Sequence, residues 1–334
     1  MSEIVLQQPL KNVPKLPPRI VRNKTALDKY LTDNKIESQF PSIENQLFTH
    51  VLKLPHAGAY NVSVIRFRGK LVCTYRFHDI TAKTRLAIAE LDENFTVYYS
   101  EVLSLDEDEA LSLEDARLFI WKGELWINFV VSTWPNFPSS QSKICKLYKP
   151  DHWRFSDKEQ YCLPDRQTME KNHCPIVHDD VLHICYRHNQ PQEGDSSKLA
   201  QIIYTPADKR EMKTPALRWP YGEIRGGTVP LPYCGKLISF FHSSLNNEMP
   251  PLTHRYYIGA ILMKAEPPFQ MLAVSKRPIL RGSEVGGDKS RFHFKPNVVF
   301  PLGSIEHKDG WLVSCGQNDS AALLVEIKPE NLQL

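Results

Sequence analysis

The chain has 334 residues, 42% hydrophobic and 24% charged. That is the make-up of a globular protein able to bury a large core, and it excludes a disordered, collagenous or disulfide-scaffold chain. Its 41 Lys and Arg against 38 Asp and Glu leave a net charge of +3, a balance that gives no support to nucleic-acid or acidic-membrane binding.

Residues 1–40 read as an arm. It is Pro-rich as far as Pro18, carries a short predicted helix over Lys24–Ile36, and lacks the apolar core of a signal peptide. Its non-repeat character suggests a role in homo-oligomer assembly. From residue 41 to 334 the pattern is that of a single β domain. Short runs rich in Val, Ile, Phe, Tyr and Trp are separated by Gly, Asp and Pro turns. No apolar run approaches the roughly 18 residues of a membrane span; the best, Trp126 to Val131, is broken by Asn128. The seven cysteines form no CxxC pair and mostly sit in apolar runs, as reduced packing residues do. The expectation is a cytoplasmic chain with free thiols and no structural zinc. His173, His178 and His183 are five apart in a strand–turn region, a spacing that does not converge on a metal.

Four hairpin-like segments align without gaps. They are NVSVIRFRGKLVCTYR from Asn61, DARLFIWKGELWINFV from Asp115, NHCPIVHDDVLHICYR from Asn172 and GTVPLPYCGKLISFFH from Gly227. Each has its turn residue (Gly69, Gly123, Asp180, Gly235) at the same place, and the starts lie about 55 residues apart. A looser fifth copy runs from Asn297 to Asp319, with its turn at Asp309-Gly310. Strand units at this period are small sheets that cannot bury both faces alone and must pack on their neighbours. The reading is a five-bladed β-propeller; the alternative is an irregular β-sandwich, in which ordinary β patterning produces the shared hairpins.

In a hairpin, residues equally far from the turn face each other. Asn61 is thereby paired with Arg76, Asp115 with Val130, Asn172 with Arg187 and Gly227 with His242. All these ends lie opposite the turns, so a radial arrangement gathers them at one mouth of the central channel. The polar residues at or beside them are Asn61, Arg76, Asp79, Glu114, Asp115, Arg117, Lys171, Asn172, Arg187, Glu223, Arg225, His242 and Asp319. A bland account exists for each. The arginines can brace loops, Asn61 and Asn172 can cap strand entries, and His242 can be a bonded core histidine. Trp121, Trp126 and Trp311 read as blade packing and the acidic run Leu105–Glu109 as a solvated loop. Gly226-Gly227 allows a close backbone approach to a ligand, or a bulge. Phosphate-loop fingerprints are absent.

These motifs resemble glycoside hydrolase family 130, the β-mannoside phosphorylases and mannosidases. EDAR (Glu114–Arg117) is similar to the family's EDPR. The Asn61…Tyr75-Arg76 hairpin, Lys171-Asn172, RGGTVP (Arg225–Pro230) running to His242, YYIGAIL (Tyr256–Leu262), RPIL (Arg277–Leu280), NVVFPLG (Asn297–Gly303) and Asp319 follow the family's order and approximate spacing. The resemblance spans about residues 55 to 325 and implies a five-bladed propeller. It also implies inverting attack at the anomeric carbon of a β-linked mannoside, with phosphate or water as nucleophile. Asp115 matches the general acid, which in the family acts through a sugar hydroxyl. Such an acid must stay protonated near neutral pH, so burial or Glu114 is expected to raise its pKa. Asn61, Arg76, Arg117 and Asp319 match positions that hold sugar hydroxyls or orient the acid; Glu114 and Asn172 join them as substrate contacts. Arg187 and His242 match phosphate positions, with Lys171 and Arg225 as further cations.

Two departures stand out. Ala116 replaces the family's Pro, and Glu223 stands where a lysine is conventional. A carboxylate repels phosphate but can activate water as a general base. The expected partner is an oligosaccharide or glycoside, with inorganic phosphate as candidate co-substrate and no cofactor. Phosphorolysis leads, and hydrolysis or a propeller glycosyltransferase follows. A non-catalytic glycan-binding propeller is the alternative of a different class.

Overall fold

The computed structural model describes residues 47–105, 111–133, 140–162, 171–192, 195–246, 254–283 and 286–334. The predicted helix Lys24–Ile36 and most of the acidic run Leu105–Glu109 lie outside these residues. The first strand, β1 (Thr49–Val51), belongs to the end of the chain, as shown below. Blade 1 is β2 (Tyr60–Phe67), β3 (Lys70–His78), β4 (Thr84–Leu91) and β5 (Val97–Leu103). Blade 2 is β6 (Ser112–Trp121), β7 (Glu124–Ser132), β8 (Ser140–Tyr148) and β9 (Arg154–Cys162). Blade 3 is β10 (Cys174–His178), β11 (Val181–Gln192), β12 (Asp195–Thr205) and β13 (Arg210–Pro215). Blade 4 is β14 (Leu231–Tyr233), β15 (Lys236–Asn246), β16 (His254–Lys264) and β17 (Met271–Val274), with β18 (Leu280–Arg281) added on β16. Blade 5 is β19 (Val299–His307), β20 (Gly310–Gln317) and β21 (Ala321–Ile327), completed by β1 pairing antiparallel with β21. The fold is the five-bladed β-propeller that the repeat implies.

The hairpin turns explain why the repeat is legible. In blades 1 to 4 the two-residue turns are Arg68-Gly69, Lys122-Gly123, Asp179-Asp180 and Cys234-Gly235, and both residues of each have positive φ. That geometry matches the twist of the flanking strands and favours Gly or Asp.

Five apolar cores close the ring, one at each blade junction. Val64, Leu71 and Ala87 of blade 1 pack with Ile305, Leu312 and Leu324 of blade 5. Leu86 and Ile88 meet Leu118, Ile127 and Phe129 between blades 1 and 2. Phe119 and Trp126 meet Leu182, Ile184 and Tyr204 between blades 2 and 3. Ile176, Cys185 and Ile203 meet Phe269 between blades 3 and 4. Phe240, Ile258 and Leu262 meet Trp311, Val313 and Val325 between blades 4 and 5. Trp121, Trp126 and Trp311 are all buried in these cores. The described cysteines are free thiols. Among the described residues no helix is long and apolar enough to cross a membrane.

One polar bolt joins blades 1 and 2. The buried Glu90 carboxylate accepts from Lys70 Nζ at 2.9 Å, Tyr98 OH at 3.1 Å, Trp153 Nε1 at 3.2 Å, and from Lys149. Burial pushes its pKa up, but the hydrogen bonds from Lys149, Lys70 and Tyr98 outweigh it and bring it down to about 2. A carboxylate depressed on folding contributes stability above its unfolded pKa and loses it as pH falls through the folded value. Glu90→Gln is therefore expected to lower the urea midpoint at pH 7 and to flatten its decline between about pH 4.5 and pH 2. Parallel pH profiles for the variant and the parent test the bolt.

Candidate active site

At the mouth end of the inner strands of blades 1, 2, 3 and 5 the chain turns left-handed. Asn61, Asp115, Asn172 and Asn297 have φ of 50°, 51°, 67° and 64°. Among side-chain-bearing residues, Asn and Asp tolerate this region best. In blades 1 and 2 the kink is a β-bulge. Pairing steps from Ser63↔Thr74 to Tyr60↔Arg76, and from Arg117↔Asn128 to Glu114↔Val130. The expected register holds in the strand middles and fails by one residue at the mouth. Tyr60, not Asn61, faces Arg76, and Glu114, not Asp115, faces Val130. In blade 3 the ladder starts at Cys174↔Cys185, short of Asn172 and Arg187. In blade 4 an isolated bridge pairs His242 with Arg225 instead of Gly227.

The bulges bring Asn61 and Asp115 together. Asn61 Nδ2 donates to Asp115 Oδ1 at 2.8 Å. Arg76 Nη1 lies 3.2 Å from the same oxygen and 2.9 Å from Glu114 Oε2. The Arg76 guanidinium also sits over the Tyr60 ring, 4.4 Å from its centroid. Arg117 is 0% exposed. Its Nε donates to the Gly227 carbonyl at 2.7 Å and its Nη1 to the Asp115 carbonyl at 3.0 Å. It therefore spends these bonds on the backbone of blades 2 and 4, which makes it a positioning residue.

The expectation of a raised Asp115 pKa is overturned. Burial does push the carboxyl up, but Arg76, Arg117, the Asn61 hydrogen bond and Lys171 together pull it below its ordinary value. Asp115 is a carboxylate in the free site. Lys171, half-buried at the entry to blade 3, belongs to this charge group.

His242 is buried, with Nδ1 2.7 Å from the Gly226 carbonyl. A carbonyl only accepts, so Nδ1 carries the proton, and Nε2 of the neutral ring is an acceptor. Burial and Arg225 hold its pKa well below the ordinary value; it meets an anion as a neutral group. Arg225 pairs with Glu223 at 3.5 Å, and the Glu223 side chain is half exposed. Arg187 folds along Tyr186, with Nη1 3.4 Å from the Tyr186 carbonyl. Asn172 Oδ1 is buried without a hydrogen-bond partner. Asp319, also left-handed (φ 52°), accepts an ion pair from Lys295 at 3.2 Å. Asp79 is a turn residue, bonded to Thr81 and Arg85. Asn61, Arg76, Glu114, Asp115 and Arg117 thus form one contact group. Lys171 is tied to it through the charge of Asp115, and His242 through the charges of Asp115 and Arg117. Glu223 pairs with Arg225, which bridges to His242.

Gly226-Gly227 serves the protein, not a ligand. A Cβ on Gly226 would lie 1.9 Å from the Asn172 carbonyl oxygen, and one on Gly227 1.8 Å from that of Phe240. Only glycine lets these backbones approach, and that approach presents the Gly227 carbonyl to Arg117.

Sequence reasoning missed Tyr60, Lys295 and Tyr256. Tyr256 stacks on His242 (5.8 Å, 6°) and feels the charges of Arg225, Asp319, Asp115 and Arg76. Its place in the YYIGAIL motif was the available signal. Lys295 lies between the fourth and fifth repeats and gave none. A surface hollow of about 490 Å³ against β5, lined by His56, Tyr98 and Tyr99 among others, lies away from these groups. Among the described residues no group of three or more His, Cys, Asp or Glu is placed to hold a metal ion.

No family model matches the chain, and no curated protein matches it in sequence. Solved structures match it in fold. One is described as showing that the family 130 mannoside phosphorylases contain glycoside hydrolases targeting β-1,2 mannosidic linkages in Candida mannan. It is 14% identical, with a TM-score of 0.55, covering 88% of this chain and 92% of that one. A mannose phosphorylase from Leishmania mexicana, in complex with a phosphate ion, is 17% identical with a TM-score of 0.58, covering 92% and 95%. A GDP-Man-dependent mannosyltransferase from Leishmania mexicana is 14% identical with a TM-score of 0.61, covering 90% and 94%. The chain has the fold of glycoside hydrolase family 130. At these identities the likeness is one of fold.

Among the groups holding Asp115 ionised, Arg76 acts most strongly. Arg76→Met is expected to raise the pH at which Asp115 takes up a proton. Carboxyl ¹³C NMR of the variant and parent reads the shift; an unmoved titration would assign the depression to Arg117 and Asn61 instead.

Proposed function

We propose that the chain is a carbohydrate-active enzyme cleaving β-mannosidic or related glycosidic bonds with inversion, with phosphate as nucleophile and Asp115 as the acid. The observation that carries this is the buried Asp115 carboxylate, bonded by Asn61, paired with Arg76 and within the field of Lys171.

An ionised Asp115 cannot donate a proton, so binding must change its state. A phosphate dianion seated among Lys171, Arg187 and Arg225 neutralises Lys171 and adds negative charge beside Asp115. Both effects raise the Asp115 pKa, so phosphate binding brings a proton with it. Water as nucleophile brings no such charge, which favours phosphorolysis. A phosphate oxygen then bonds to C1 as the C1–O bond to the leaving sugar breaks. The Asp115 proton passes to the leaving oxygen, directly or through a sugar hydroxyl. A β-linked substrate yields an α-sugar 1-phosphate. Asn61, Arg76, Glu114, Asn172 and Asp319 hold sugar hydroxyls, while Arg117 fixes the Asp115 backbone. His242 accepts from a phosphate hydroxyl through Nε2.

The Glu223–Arg225 pair favours a second reading, hydrolysis. Glu223 already occupies part of the charge of Arg225 and offers a base for water.

The test is incubation with β-1,2-manno-oligosaccharides, with and without inorganic phosphate, followed by anomeric analysis. The expected product is an α-sugar 1-phosphate formed only with phosphate, and Asp115→Asn is expected to cut kcat by on the order of 10²–10⁴. Free mannose released in phosphate-free buffer would establish the hydrolase. An unaffected rate in Asp115→Asn would remove the acid.

A further inference from the structure

Residues 286–298, ahead of β19, are pinned to the β20–β21 turn of blade 5 and lean on blade 1. Asn318 Nδ2 donates to the Gly286 carbonyl at 3.0 Å, the Asp288 amide to Ser320 Oγ at 3.0 Å, and the Lys295 amide to the Asn318 carbonyl at 3.1 Å. Arg291 Nε donates to Asp288 Oδ2 at 2.9 Å, and the Arg291 side chain packs so closely on Gly58 that a Cβ there would stand 3.1 Å from its Nε. The next two residues are Phe292 and His293. The His293 ring stacks on His78 at 3.8 Å and 21°, and on Tyr60 at 5.4 Å and 16°. Phe292 stands perpendicular to both imidazoles, 5.0 Å from His78 and 4.8 Å from His293, so neither covers its ring in parallel. It remains 72% exposed.

A large apolar ring held out of the core by a well-anchored segment gains nothing from folding. A single exposed apolar residue needs no explanation by itself, but this one ends a contact chain that starts at the site. Asp115 touches Arg76, Arg76 lies on Tyr60, Tyr60 stacks on His293, and His293 supports Phe292. Three side chains separate the ring from Asp115, so whatever stacks there is continuous with the site but is not the reacting unit.

We propose that Phe292 is the stacking platform of an outer sugar subsite, binding the C–H face of a pyranose ring of an oligosaccharide whose scissile bond lies at Asp115. This rests on the glycoside reading above. The surroundings select a neutral ring. Burial lowers the pKa of His78 to about 3 and also lowers that of His293, so the pedestal is uncharged at neutral pH. The cations around it are already paired, Arg76 with Glu114 and Asp115, Lys295 with Asp319 and Arg291 with Asp288. A flat apolar face on an uncharged support suits a sugar's C–H surface and offers little to an anion.

The test measures calorimetric affinity for β-1,2-mannobiose, mannotriose and mannotetraose on an Asp115→Asn background in phosphate-free buffer, so that turnover does not intrude. Affinity is expected to rise with chain length. Phe292→Ala should weaken the tetraose by roughly three- to tenfold while leaving the biose unchanged, and Phe292→Tyr should keep the increment. An increment that survives Phe292→Ala, equal weakening of biose and tetraose, or no length dependence in the background protein would each overturn the platform. If no oligosaccharide binds the background protein, the glycoside reading and the platform fall together. A length increment lost in Phe292→Ala, in a protein that never turns substrate over, would uphold the platform and end the catalytic reading alone.

Discussion

Left-handed backbone at the mouth end of the inner strands decides which side chains gather there. A strand that ran straight would send alternate side chains into the two neighbouring blade interfaces. The bulges at Asn61 and Asp115 insert one extra residue, break the alternation and turn both side chains toward each other. Such backbone costs on the order of 1–2 kcal/mol for most residues and less for Asn and Asp. The same residue types that carry polar chemistry are also the cheapest to place there. Blade 4 solves the same problem differently. Gly226-Gly227 lets two backbones touch, and the bond from Arg117 to the Gly227 carbonyl then ties blade 2 to blade 4.

The Asp115 cluster is held by opposing effects. Burial alone would neutralise the carboxyl, and two arginines, an amide and a lysine keep it charged. Removing one partner from such a group leaves a buried charge poorly compensated. The junction of blades 1 and 2 is therefore both a folding contact and the candidate chemical centre. In the proposed reaction, an anion bound beside Lys171 would shift that balance toward the protonated acid.

The five blades were legible because the two-residue turns recur at a fixed place and because each hairpin is apolar in the middle. The gathering of Asn61, Arg76, Glu114, Asp115 and Arg117 was legible from the same repeat. What was not legible depends on single-residue or cross-blade detail. The bulges move the register by one only at the mouth, where the aligned hairpins end. The closing strand β1 is three residues long and carries no repeat signal. The protonation of Asp115 follows from charges on Arg76, Arg117 and Lys171, contributed from blades 1 and 2 and the entry to blade 3, and Glu114, its sequence neighbour, was the wrong guide. The glycine pair looked like a ligand contact because sequence does not show which backbone comes close. Phe292, His293 and Lys295 lie between two repeats, where the alignment is silent.

The ring also sorts charge. Blades 5, 1 and 2 bring the carboxylates Asp319, Glu114 and Asp115, the last two on Arg76 and the first on Lys295. Blades 3 and 4, with the segments leading into them, bring Lys171, Arg187, Arg225 and the neutral His242, with Glu223 as an opposing acid on Arg225. An inverting displacement needs its acid and its nucleophile on opposite faces of the sugar. In the reaction proposed above, a sugar held by the carboxylate half and an anion held by the cationic half would meet that requirement. In that proposed reaction, Glu223, paired with Arg225, would be the residue on which the choice of nucleophile turns. While it holds Arg225 the cationic half is weakened toward water, and once an anion displaces it the same half is complete for phosphate.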